Sequence, residues 1–301
     1  MSLIEKYINP FTDFGFKKLF GTEPNKDLLI DFLNTVILPK KRKIKDLSYR
    51  KNEQIGNTEL DRKAIFDLYC IGSEGERFIV EMQKAKQNYF KDRSVFYSTF
   101  PIQEQAQRGD WDYKLSEVYT VGVLDFVFSE EQLGDKKRKK RKSILQENEV
   151  RHEVKLKNQH SQVFYDKLTF IYLEMPHFIK TENELETPYD KWLYVLKYLP
   201  TFTERPKKLQ ERIFHRLFEA AEIARFSPEE KEQYEESLKS YRDLKNVIDT
   251  SFGEGKVEGR VEGRVEGIKE IASNMLKEGL DVEFISKITG LSNDEIQQIP
   301  T

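Results

Sequence analysis

The chain has 301 residues, with 50 Lys and Arg against 52 Asp and Glu, and a 38% apolar content that can fill the core of one large domain or two ordinary ones. One cysteine, Cys70, excludes an intramolecular disulfide and a cysteine-based zinc cluster, and a formal net charge of −2 leaves the question of a nucleic-acid partner to local clusters. Charged residues at 34%, and a longest apolar run (118–128) interrupted by Asp125, argue against a membrane protein; without a basic head and apolar run at the start, the expected location is cytoplasmic.

In chain order, Phe11, Phe14, Phe16, Leu19 and Phe20 predict a short helix stopped by Gly21 and Pro24. Leu28, Leu29, Phe32 and Leu33 make the stripe of a second helix, ended by Pro39. A basic segment, 40–43, leads to a strand over 44–49. Two clearer strands follow, 64–71 and 76–83, joined by the hairpin residues Gly72, Ser73, Glu74 and Gly75. A helix over 89–107 and a strand over 118–128 come next; the near-continuous apolar run of that strand suits burial on both faces. A long helix between two strands requires a crossover, hence some parallel pairing.

The basic run 136–142 fits either a solvated loop or a grip on DNA backbone through residues such as Lys136, Lys137 and Arg138. From 150 to 250 the chain reads as mixed, then mainly helical. Residues 253–267 repeat a Val-Glu-Gly-Arg unit, either as a flexible linker or as a helix whose small-residue stripe packs on a second copy, with Glu stripes against Arg stripes in a homo-oligomer. Over 284–296, Gly290 makes a turn between two short helices, and Ser292 with Glu295 forms a capping box. Asp294 and Glu295 open the second helix and would repel phosphate, so a small helical interaction module is favoured there over a base reader.

Two acids sit where strands should be apolar. Asp67 falls within Ile65-Phe66-Asp67-Leu68-Tyr69 and Glu81 within Phe78-Ile79-Val80-Glu81-Met82. A buried carboxylate is costly unless a cation or metal compensates it. If Ile71 pairs with Arg77, Asp67 lies opposite Glu81, and opposed side chains stand ~5.5 Å apart at Cβ, close enough to hold one cation. The alternative register turns the acids to opposite faces, and edge-strand acids facing water remain an open reading. Hard oxygen ligands suit Mg²⁺ or Mn²⁺, and such a site suits phosphodiester hydrolysis. On the following helix Arg93 and Tyr97 share one side, which offers Arg93 as a phosphate contact or as a surface charge beside a core aromatic.

The stretch from Asn9 to Gly21 containing Thr12-Asp13-Phe14-Gly15-Phe16, followed by Asp67 and Glu81-Met82-Gln83, resembles the recombination-promoting nuclease and transposase group of the PD-(D/E)XK superfamily. The likeness continues through Arg93-Ser94-Val95-Phe96-Tyr97, the 118–128 strand, Leu173-Glu174-Met175-Pro176 and the Glu-Gly repeat. It implies an α/β, restriction-endonuclease-like αβββαβ core with a mainly helical extension and a C-terminal helical tail. The expected organisation is a core over 1–133, a basic loop over 134–149, an extension over 150–250, the repeat over 251–267 and a helical module over 268–301. The resemblance also implies a metal-dependent DNA endonuclease connected with recombination or mobile elements. In it Asp67 and Glu81 match the metal-binding acids and Asp13 matches an additional acid. Gln83 stands where the superfamily has Lys; it can orient a water but carries neither charge nor a transferable proton. Two alternatives follow: a weak or inactive DNA-binding or oligomeric scaffold that keeps the fold, or a transposase.

Overall fold

The computed structural model describes residues 5–37, 43–51, 53–54, 64–87, 89–106, 112–128 and 149–299. Helix α1 (Asp13–Phe20) starts where Thr12 caps it, its hydroxyl accepting the Gly15 N–H at 3.0 Å. Asn9 fixes the approach to this cap. Its side chain accepts the Phe11 N–H at 2.9 Å and its carbonyl accepts the Thr12 hydroxyl at 2.8 Å. A Cβ at position 15 would stand 2.1 Å from the Asn9 carbonyl oxygen, so only glycine fits there. Helix α2 (Lys26–Ile37) buries the expected stripe of Leu28, Leu29, Phe32 and Leu33.

Strand β1 (Leu47–Tyr49) pairs antiparallel with β4 (Leu68–Gly72), and β4 pairs antiparallel with β5 (Arg77–Gln83). Two short strands, β2 (Glu53–Gln54) and β3 (Ala64–Ile65), pair with each other apart from this sheet. The run 64–71, expected as one strand, is therefore broken, and the break falls at Phe66 and Asp67. Helix α3 (Phe90–Gln103) then crosses to β6 (Val118–Leu124), which runs parallel to β5 and is buried at every position. Strand β6 stops one residue before Asp125, earlier than the expected 118–128 run.

Residues beyond 150, expected as mixed and then mainly helical, first add strands to the same sheet. Strand β7 (Arg151–Lys157) and strand β8 (Val163–Glu174) form a hairpin, and β8 lies parallel to β6. The order across the six strands is β1-β4-β5-β6-β8-β7. One face carries Leu68, Cys70, Phe78, Val80 and Met82 into a large core with α1, α2, α4 (Pro188–Tyr198) and α5 (Arg212–Ala221). The other face packs Tyr69 and Ile79, with Phe66, against Tyr97 and Phe100 of α3, and Leu124 and Tyr172 against Phe90. Helices on both faces of a largely central parallel trio give the expected α/β class.

By internal contacts the chain divides into two compact units, Met1–Arg242 and Asp243–Thr301. Helix α6 (Pro228–Lys277) runs through the Val-Glu-Gly-Arg repeat, so the helical reading of that segment holds over the linker. At Gly255, Gly259 and Gly263 a Cβ would meet nothing within 4 Å. In the second unit, Ala272, Ile285 and Ile296 form a small core joining α6 to α7 (Val282–Thr289) and α8 (Asn293–Gln297). Gly290 takes φ 75° between α7 and α8, and Ser292 exchanges hydrogen bonds with Glu295 in the expected capping box. Among the described residues no helix is long and apolar enough to cross a membrane.

Candidate active site

The hairpin register decides where the acids stand. Ile71 pairs with Arg77 and Leu68 with Val80, so the same register carries Asp67 opposite Glu81. Of the two registers the sequence leaves open, this is the one that opposes the acids, and it is selected by packing: Leu68, Cys70, Phe78, Val80 and Met82 must all face the large core. At Asp67 the ladder gives way to side-chain contacts. The Asp67 carboxylate accepts the Met82 N–H at 2.7 Å, and the Asp67 N–H donates to Glu81 Oε1 at 3.4 Å. The strand break at Asp67 is the price of turning a carboxylate onto the backbone of β5.

Both acids are poorly solvated. The Glu81 carboxyl is pushed up to about 8, first by burial and then by the facing Asp67 charge, against the opposing pull of the Arg93 charge and the Asp67 N–H. Burial also raises Asp67; the Met82 N–H pulls it down, Asp13 pushes it up, and Lys17 and Lys84 pull it down. Neither the acids nor the lysines act alone, because charges on α1, β5 and α3 converge on one pair of carboxylates. Beside Glu81 the neighbouring strand carries Gly122, where a Cβ would come within 3.0 Å of the Tyr172 ring.

Asp13 opens α1 with its side chain largely exposed and takes Lys84 Nζ at 3.1 Å. Lys84 reaches α1 because β5 ends at Gln83, so the strand alternation that would send it to the opposite face no longer applies. Lys17, one helical turn after Asp13, is the neighbour that i,i+4 spacing on α1 could have flagged.

Gln83 is buried, at 8% exposure. Its Nε2 donates to the Ala85 carbonyl at 3.0 Å and its Oε1 accepts from Arg93 Nη2 at 2.5 Å. A guanidinium only donates and a carbonyl only accepts, so the amide orientation is determined. The Gln83 amide, expected to orient a water, thus makes a contact within the protein at each end. Arg93 lies over the Phe90 and Tyr97 rings, 5.5 and 5.7 Å from their centroids, and its Nη1 donates to Gln87. Gln87 was not singled out in the sequence, and only this tertiary contact identifies it. Lys136, Lys137 and Arg138 lie outside the described residues.

The donor chemistry suits a hard divalent cation. Two desolvated carboxylates face each other, and Mg²⁺ is commonly held through one or two carboxylates with water and substrate phosphate completing its shell. Among the described residues no group of three or more His, Cys, Asp or Glu is arranged to hold a metal, and the facing pair Asp67 and Glu81 offers two carboxylates that a cation could share.

Residues 10–251 match the model of the PD-(D/E)XK nuclease family transposases, and residues 266–301 match that of the Rpn/YhgA-like nuclease family C-terminal HTH domain. Nothing matches among the curated proteins or the solved structures. The first match spans most of the chain, including α1, both acids, α3 and all six strands of the sheet, and the chain therefore belongs to the PD-(D/E)XK nuclease family transposases.

Proposed function

We propose that the chain is a divalent-metal-dependent DNA endonuclease, acting in the cytoplasm on DNA in recombination or mobile-element events. The observation that carries this reading is the opposition of Asp67 and Glu81, two desolvated carboxylates with raised proton affinity at one point of the sheet. Asp67 and Glu81 would hold Mg²⁺ or Mn²⁺, which would supply neutralisation of phosphate charge, a more acidic attacking water and stabilisation of the leaving oxygen. The Met82 N–H holds the Asp67 carboxylate in place. Asp13 acts at a distance by orienting Lys84. The basic run with Lys136, Lys137 and Arg138, and the HTH domain, supply further DNA contacts.

Plasmid DNA incubated with the full chain and Mg²⁺ or Mn²⁺ tests the reading. Nicking or linearisation is expected from the wild type, with loss of at least about a thousandfold in Asp67→Ala. Cutting by that variant at the wild-type rate refutes the assignment.

One observation favours a second reading, a non-catalytic DNA-binding scaffold: Gln83 brings no charge, and both ends of its amide are engaged. Calorimetric titration with Mn²⁺ separates the two. No heat of binding, with DNA affinity intact, selects the scaffold.

A further inference from the structure

The position expected to supply a cation to the acid pair supplies a neutral amide instead, and the structure places other cations around it. Lys84 is drawn onto Asp13 at 3.1 Å. Arg93 is different. Its hydrogen-bond partners among the described residues are Gln83 and Gln87, both neutral, and its flanks are the rings of Phe90 and Tyr97. A guanidinium held by neutral groups keeps its full charge for something else. Amide oxygens orient Nη1 and Nη2, while further N–H groups of the fork stay available for an anion.

We propose that Arg93 is the cation that contacts the scissile phosphate, and that Gln83 is a positioning residue whose amide oxygen aims the Arg93 guanidinium. This rests on the nuclease reading and deepens it. The substitution of Gln for Lys then has a physical logic, since a Lys at position 83 would place an ammonium against Arg93 Nη2, where Gln83 Oε1 now accepts at 2.5 Å. In this chain the charge sits on the helix, and the strand position where the superfamily has Lys holds it. Arg93 stays protonated throughout and exchanges no proton with water or leaving group, so its contribution is charge and geometry.

A double-mutant cycle on the full chain distinguishes positioning from an independent water-orienting role. Arg93→Ala is expected to lower kcat about a hundredfold or more. Gln83→Ala is expected to lower it about tenfold, and the double variant should be no worse than Arg93→Ala alone. Multiplicative losses in the double variant, or a Gln83→Lys variant at or above the wild-type rate, overturn the proposal. A readout without metal runs in parallel: binding of a DNA duplex in EDTA, followed by fluorescence anisotropy against salt. Removing one phosphate contact in Arg93→Ala should reduce the slope of log affinity against log salt by about 0.9, and Arg93→Lys should keep that slope while losing rate. An unchanged slope in a folded Arg93→Ala overturns the phosphate contact. If the wild type neither cuts DNA nor binds Mn²⁺, the nuclease reading fails, and the anisotropy result still decides whether Arg93 meets phosphate.

Discussion

Two carboxylate sites stand on this sheet, one buried and one half-buried, and they are opposites. Glu174, at the end of β8, is 2% exposed. It accepts the Phe128 N–H at 2.9 Å, with His177 Nδ1 at 3.1 Å and His152 Nε2 at 3.5 Å, and its side-chain contact with His152, helped by its charge, raises the proton affinity of that imidazole. Asp67 and Glu81 are somewhat more open, yet each lies close to another acid, and the proton affinities of both are raised. Burial is therefore a poor guide to a site on its own. What separates a structural carboxylate from a metal-ready pair is whether the protein has already answered its charge.

Glu81→Gln tests that contrast with the largest effect. Cleavage should fall by at least about a thousandfold while the metal-free fold becomes more stable. The folded carboxyl titrates at about 8 against an ordinary 4.5, so the folded state keeps a proton that the unfolded chain has released. Wild-type stability therefore falls as pH rises through that window, and the variant does not share the fall. At pH 8.5 the gain should reach on the order of a few kcal/mol, seen as a Tm increase of roughly 5–10 °C. Saturating Mn²⁺ should restore the wild type and leave the variant unmoved. A variant with lower Tm at that pH would show that Glu81 is already compensated, as Glu174 is.

Glu174→Gln should do the reverse. Losing a buried charge that holds two histidines and a backbone N–H costs about 1–3 kcal/mol, with cleavage within a few-fold of wild type. His152 has a folded pKa above its ordinary 6.5, so its contribution is complete below that pH and lost as pH rises through the folded value. The deficit of this variant should thus be greatest near pH 6 and shrink toward pH 8.5, the opposite trend to Glu81→Gln. Thermal melts of both variants across that range measure it. Parallel trends would erase the distinction between the two sites.

Much of the α/β framework was legible because its signals are local. Alternation in 76–83, the Gly72–Gly75 turn residues and the apolar run of β6 identify the central strands, but leave two hairpin registers open. That choice is made by the face that Phe78, Val80 and Met82 must bury, a global constraint. The break at Asp67 was hidden because Ala64 to Ile71 is rich in strand formers; the competing contact is the Met82 N–H, which no propensity encodes. The contacts of Arg93 with Gln83 and of Lys84 with Asp13 link residues across separate elements, so spacing along the chain is silent about them. The repeat was ambiguous for a different reason. Glycine every four residues disfavours a helix locally, but the 228–252 stretch carries the helix into it, and propagation is far less costly than nucleation.

Asp13 supplies the intermediate case between the two kinds of carboxylate, and the smallest expected effect. It is exposed, sits at the N-terminus of α1 where the helix dipole favours a negative charge, and is paired with Lys84. An exposed pair of this kind contributes less than about 1 kcal/mol, so Asp13→Asn should leave stability almost unchanged. Its field raises Asp67, whereas Lys84 and Lys17 oppose that effect. Removing the acid frees Lys84 to compensate Asp67, which lowers the need for a metal there. The expected result is a Mn²⁺ affinity reduced by less than about tenfold, since screening at an exposed position weakens both charges, with cleavage reduced in proportion. Calorimetry and plasmid cleavage on the same preparation read both quantities. A loss as deep as that of Asp67→Ala would make Asp13 a third ligand and move it from the compensated acids to the reacting ones.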